Sequence, residues 1–193
     1  LKKIISLFVR DYEGTRFVRD KIVPGAEWVV SGEGVATEKI DGTSCLLRDG
    51  RLFKRYDAKD GKTPPSGFEP CEDAPDPETG HWPGWLLVSE TDPNDKWHME
   101  AFLNTPQEFI DQEGTFELVG PKVQGNKYYL VRHILRWHGD VVLKGVPRTF
   151  NGIKEWFTDH PGIEGIVWHH PDGRMVKIKR KDFGLPWPVK TDA

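Results

Sequence analysis

Apolar and polar positions alternate in short runs along most of the chain, and a helical period is clear in only one stretch. Residues 26–37 (Ala-Glu-Trp-Val-Val-Ser-Gly-Glu-Gly-Val-Ala-Thr) read as strand, turn, strand. Residues 44–56 predict a hairpin: Cys45-Leu46-Leu47-Arg48 runs out, Asp49-Gly50 is a tight-turn pair, and Arg51-Leu52-Phe53-Lys54-Arg55-Tyr56 returns. Thr115-Phe116-Glu117-Leu118-Val119 is strand-like, and Tyr128 to Trp137 is a second β-rich run. A His138-Gly139-Asp140 turn and a further strand at Val141–Leu143 follow. Gly165–Trp168 and Met175–Lys179 form a hairpin around Pro171-Asp172-Gly173. The helical period belongs to 150–159, where Phe150, Ile153, Trp156 and Phe157 fall on one face before His160-Pro161-Gly162 stops the run. Shorter helices are expected over 94–103 and after Thr105-Pro106-Gln107-Glu108, which has N-cap and capping-box chemistry. With no βαβ rhythm and no internal repeat, the pattern predicts an α+β protein of antiparallel sheets with flanking helices.

One region departs from this rhythm. Residues 61–84 hold six prolines, and Pro-rich acidic sequence continues to about 95, so an irregular excursion is expected, packed back on the body through Trp82 and Trp85. The 193 residues fit one domain of ordinary size, 1–193, and a 37% apolar content supports a core and excludes a disordered chain. No apolar run is long enough for a membrane span, so no membrane partner is expected. Leu1-Lys2-Lys3-Ile4-Ile5 turns polar too soon for a signal peptide, and the missing initiator Met implies a trimmed start. Cys45 and Cys71 are too few for a disulfide framework or a zinc site, so a reducing, cytoplasmic setting is expected.

A formal net charge of −3 argues against a general polyanion coat, but the charge is unevenly spread. Residues 69–95 hold eight acids and no Lys or Arg, which leaves the remainder net basic. Arg174, Lys177, Lys179, Arg180 and Lys181 then fall within eight residues free of acids, a local anion site. Arg180 and Lys181 read as a solvated tail. Strand alternation, in contrast, puts Val176 and Ile178 on one face and both Lys177 and Lys179 on the other, where like charges repel unless an anion such as a phosphate lies between them. Other candidates are weaker alone. Lys39 stands before an Asp41-Gly42-Thr43 turn signal, Glu164 precedes the strand that pairs with the lysine strand, and Glu117 interrupts an apolar strand. Gly32-Glu33-Gly34 lacks the third glycine of a dinucleotide loop. His169 and His170 are strand neighbours on opposite faces and cannot share a metal.

Taken in order, these features make a series. Thr37-Glu38-Lys39-Ile40-Asp41-Gly42-Thr43-Ser44 resembles motif I of the covalent nucleotidyltransferases, the superfamily of ATP-dependent polynucleotide ligases and mRNA capping enzymes. Phe53-Lys54-Arg55 resembles motif Ia, Glu117-Leu118-Val119-Gly120 motif III, Glu164-Gly165-Ile166-Val167 motif IV and Val176-Lys177-Ile178-Lys179 motif V. Across roughly 26–184 the chain is most similar to the small single-domain ATP-dependent 5′-to-3′ RNA ligases. Ser44 stands where phage-type RNA ligases carry Asn, and the base-stacking aromatic of motif IIIa falls among His133, Leu135 and Trp137. The fold this resemblance implies is the ligase adenylation domain. With few residues after Lys179, no C-terminal OB domain is expected.

The activity it implies is an ATP-dependent RNA ligase, of use in RNA repair. Lys39 takes AMP from ATP as lysyl-AMP, AMP passes to an RNA 5′-phosphate, and a 3′-hydroxyl displaces it. The resemblance assigns catalysis to Lys39, Lys177, Lys179 and Glu164. It assigns nucleotide binding to Glu38, Lys39, Ile40, Arg55, Glu117, Glu164, Lys177 and Lys179, with Glu117 on the ribose and Arg55 on a phosphate. Mg²⁺ (or Mn²⁺) would be held by Glu164. A lysine nucleophile must be neutral, and nearby cations at 55, 177 and 179 are expected to favour that state. The alternatives are a guanylyltransferase, a DNA ligase-like adenylation domain, or a non-catalytic module that binds nucleotide or RNA.

Overall fold

The computed structural model describes residues 4–59, 61–77 and 79–189; Leu1–Lys3 and Glu78, used in the sequence reading, lie outside this set. In chain order the elements are β1 (Ile5–Ser6), β2 (Phe8–Arg10), β3 (Val18–Ile22), α1 (Glu27–Val30), β4 (Val35–Lys39), β5 (Thr43–Arg48), β6 (Arg51–Lys59), β7 (Glu69–Pro70), β8 (His81–Leu87), α2 (Lys96–Leu103), α3 (Gln107–Ile110), β9 (Gly114–Val119), β10 (Ile134–Trp137), α4 (Phe150–Asp159), β11 (Gly165–His169) and β12 (Met175–Lys179). Short strands outnumber helices and all pairs but β1–β12 are antiparallel, as an α+β pattern requires. No helix among the described residues is long and apolar enough to cross a membrane. The residues divide into two compact units, one of 41–138 and one of 4–40 with 139–189.

The discontinuous unit is built on a four-stranded sheet ordered β1-β12-β11-β4 and a small β2–β3 pair. Val176, Ile178, Ile166 and Trp168 from β12 and β11 are fully buried on one face of the larger sheet. They share a core with Ile153, Trp156 and Phe157, the apolar stripe that the 150–159 period predicted for α4. Thr149 caps this helix by accepting the Gly152 N–H at 3.2 Å.

The continuous unit is a six-stranded sheet ordered β10-β9-β5-β6-β8-β7. Its core, Cys45, Leu47, Leu52, Phe116 and Leu118 with Ala101 of α2, covers one face only. The predicted hairpin is β5–β6, and β6 runs on to Lys59 because β8 pairs along it from Phe53 to Lys59. The irregular excursion therefore returns as a strand, and Phe68 closes it with edge-on contacts to Tyr56 and Trp82.

Four local readings change. Residues 27–30 form a helical turn, not a strand: the Ser31 N–H donates to the Glu27 carbonyl at 3.0 Å, and Arg148 fastens the turn and the loop after it through the carbonyls of Val29 and Gly34 (2.7 and 2.9 Å). Pro106, not Thr105, occupies the N-cap of α3, since the Thr105 hydroxyl donates to the Ala101 carbonyl at 2.8 Å. Only 134–137 of the Tyr128–Trp137 run is strand, and the strand expected at Val141–Leu143 reduces to a Thr37–Val142 bridge. Arg180 is no solvated tail: it is 3% exposed and donates to the carbonyls of His160, Pro161 and Ile163.

Because Phe157 is fully buried in the core of the discontinuous unit, Phe157→Ala is expected to lower the unfolding free energy by about 3–5 kcal/mol. A denaturant titration checks this, and a cost near zero would contradict the assigned core.

Candidate functional site

Strand register builds the first half of the site. Gly165 of β11 lies opposite Lys39 of β4 on one side and opposite Lys179 of β12 on the other. One step along, Val167 lies between Thr37 and Lys177. Residues directly opposite share a face, so Lys39, Lys177 and Lys179 all stand on the face away from the core. Gly165 is what permits the row: a Cβ there would meet the Ile178 carbonyl oxygen at 2.6 Å and the Lys39 side chain at 3.2 Å. Lys39 thus lies across a position with no side chain of its own, and its Nζ donates to Glu164 Oε2 at 2.8 Å. Glu164 is buried, and Lys39 is partly exposed.

The charge balance follows. Burial pushes the Lys177 ammonium below the usual lysine range, and the neighbouring Lys39 and Lys179 push it further. Asp182 and Glu164 act in the opposite sense. Lys39 is paired with the Glu164 carboxylate, and the amine that burial and its cationic neighbours disfavour as an ammonium is Lys177. Asp182, which the sequence reading passed over, accepts the Lys179 backbone N–H at 2.8 Å and pairs with Arg10. Alternation places Glu38 opposite fully buried Ile166, on the core side of β4, and Ile40 is buried. Those two candidates do not share the lysine face.

The second set of candidates lies in the continuous unit. Glu117 of β9 pairs in register with Ser44 of β5 and Arg136 of β10, while its neighbour Phe116 pairs with buried Cys45. Lys54 is opposite Cys45, so Arg55 falls on the same face as Ser44, Glu117 and Arg136, away from the core. The Arg55 guanidinium lies 5.5 Å from the centre of the Trp85 ring, directly opposite in register. Lys54 is engaged elsewhere, in an ion pair with buried Asp95.

Glu117 is held by groups that sequence reasoning missed. Its Oε1 accepts the Gly42 N–H at 3.1 Å, and its Oε2 lies 2.7 Å from His138 Nε2. A carboxylate only accepts, so His138 carries a proton on Nε2, and its Nδ1 lies 2.9 Å from the Thr115 hydroxyl. Gly42 approaches so closely that a Cβ would meet the Leu118 carbonyl oxygen at 2.2 Å, which explains a glycine in Lys-Ile-Asp-Gly by packing rather than turn angle. His138 had no signal beyond a turn; only the β9–β10 register brings it to Glu117. Of the base-stacking candidates, Leu135 and Trp137 pack on the core cluster, and His133 is buried against Trp97.

A family model described as RNA ligase 1 matches residues 103–193. Proteins named RNA ligase 1 align over 80% of this chain: one from Danio rerio is 29% identical over 222 residues, and one from Mus musculus is 28% identical over 226 residues. The alignment covers 68% of each of those proteins. A third, from Pongo abelii, is 28% identical over 225 residues, covering 80% of this chain and 69% of its own. Over these residues the chain is similar to the RNA ligase 1 proteins. Lys39, Glu164, Lys177 and Lys179 come together in one unit, and Glu117 and Arg55 share a sheet face in the other.

The depressed Lys177 has a consequence with a definite sign. Its folded pKa lies below its ordinary value of 10.5, so between the two the unfolded chain binds more protons and stability rises with pH. Below that window the folded state carries the full repulsion. Lys177→Met is therefore expected to melt higher than wild type near neutral pH, with the difference shrinking as pH approaches 10.5. Thermal melts across pH measure this, and a variant that melts lower at neutral pH would show that Lys177 supports the fold instead.

Proposed function

We propose that this protein is an ATP-dependent RNA ligase that works through lysyl-AMP. The observation that carries the reading is the row of Lys39, Gly165 and Lys179, with Lys177 beside it and Glu164 against Lys39. A core face does not need three ammonium groups on its reverse, and their mutual repulsion is relieved by phosphate. The RNA ligase 1 relatives supply the substrate class.

In the first step the neutral Lys39 amine attacks the α-phosphorus of ATP, which is consumed as a substrate. An N–P bond forms, the α–β anhydride bond breaks, pyrophosphate leaves, and the amine gives up its proton. In the second step an oxygen of the RNA 5′-phosphate attacks the same phosphorus, the N–P bond breaks and Lys39 is regenerated. In the third a 3′-hydroxyl attacks the RNA 5′-phosphorus, a phosphodiester forms and AMP leaves. Lys177 and Lys179 stabilise the charge that develops on the phosphoryl oxygens, usually the larger part of catalysis in such transfers.

Glu164 has two tasks. Its carboxylate holds the Lys39 amine in place before ATP is bound. It is also the carboxylate that would hold Mg²⁺ (or Mn²⁺). One carboxylate plus phosphate oxygens and water is a usual Mg²⁺ environment, and no group of three or more potential ligands occurs among the described residues. The ion would screen phosphate charge. Glu117 has lone pairs beyond those used by Gly42 and His138 and would accept from the ribose hydroxyls. Arg55 would hold a phosphate, of the nucleotide or of the RNA 5′ end.

Incubation with α-labelled ATP and denaturing electrophoresis test this directly. Wild type is expected to take up label from ATP and not GTP, and to discharge it to RNA with a 5′-phosphate but not a 5′-hydroxyl. Lys39→Ala is expected to take up none, and Lys177→Ala or Lys179→Ala about 100-fold less than wild type. Labelled Lys39→Ala protein would refute the scheme.

A further inference from the structure

From Leu118 to Gly139 the chain carries Lys122, Lys127, Arg132 and Arg136 and no acid, although its net charge is −3. Most of this stretch connects β9 to β10, and it is braced from within. Asn126 donates its amide to the Leu130 carbonyl at 3.0 Å and accepts the Leu130 N–H at 2.8 Å. The base of the loop is fastened to the turn that follows Lys39 in sequence. Tyr128 accepts the Asp41 N–H on its hydroxyl at 2.7 Å, and Lys127 pairs with the Asp41 carboxylate.

On this braced loop are the two most exposed large hydrophobic residues among those described, Tyr129 (81%) and Val131 (95%). Tyr129 also has φ of +53°, a left-handed conformation that bulky residues avoid. Neither burial nor backbone preference accounts for an aromatic there. Lys122 and Arg132, both exposed, flank it in sequence. A pre-set aromatic between cations is the arrangement that takes a stacked base and its flanking phosphates. Bracing the loop in advance reduces the ordering cost of binding.

We propose that the β9–β10 loop is a docking surface for single-stranded RNA, with Tyr129 stacked on a base and Arg132 and Lys122 on phosphates. The choice of RNA rests on the ligase reading; the choice of surface rests on charge, exposure and strain.

The test measures the affinity of the full chain for a short fluorescent single-stranded RNA with a 5′-phosphate, alongside labelling by ATP. Tyr129→Ala is expected to weaken RNA binding about tenfold or more, and Tyr129→Phe to retain it. Arg132→Ala is expected to flatten the slope of log affinity against log salt by about 0.7. Tyr129→Asn relieves the left-handed strain, so it should melt no lower than wild type yet bind RNA as poorly as the Ala variant. All four are expected to label with ATP as wild type does. Unchanged RNA affinity in Tyr129→Ala and Arg132→Ala would overturn the proposal and leave the loop as a surface for a protein. If wild type takes no label while RNA affinity still falls in these variants, the ligase reading fails and the docking surface stands.

Discussion

Three ammonium groups held on one face of a small sheet are the constraint that organises this protein. Lys39, Lys177 and Lys179 are fixed there by strand pairing, and the strands are fixed in turn by an apolar core on the reverse face. Two carboxylates answer them. Asp182 is already engaged with Arg10 and with the Lys179 backbone, so Glu164 is left to pair with Lys39. The row keeps an excess of positive charge that burial makes more costly, as the depressed Lys177 registers. Folding alone does not favour such a face. An anion with several oxygens does, and that links the stability of the unit to the chemistry proposed for it.

The six-stranded unit follows the same plan with different groups. One face is core, and the other carries Glu117, Ser44, Arg136 and Arg55. Here the acid is answered by a backbone N–H and a histidine instead of by lysine. A carboxylate held that way keeps its position while retaining capacity to accept further hydrogen bonds, which suits recognition of hydroxyls better than of phosphates. The Asp41-Gly42 turn is held from two sides, by Glu117 and by the loop carrying Tyr128. The chain just beyond Lys39 is therefore braced twice.

Much of this was legible in one dimension. Strand alternation alone put Lys177 and Lys179 together with Val176 and Ile178 behind them, because a period of two admits no other outcome once one face is buried. The Asp49-Gly50 hairpin and the 150–159 helix were equally plain, since turn chemistry and a 3.6-residue period are local properties. The helical turn at Glu27–Val30 was not legible, because the Arg148 side chain that holds it and the following loop, through the carbonyls of Val29, Glu33 and Gly34, lies more than a hundred residues away. The buried place of Arg180 was hidden because its carbonyl partners belong to another loop, the one before β11.

By itself the sequence determined which residue types stand at which strand positions, and so which lysines share a face and which motifs occur in order. Tertiary structure decided the partners. It set Gly165 between Lys39 and Lys179, gave Lys39 to Glu164, brought His138 to Glu117 and turned Glu38 to the core side. Side-chain direction is set within a few residues of chain, whereas register between strands far apart in sequence is chosen only when the whole core closes.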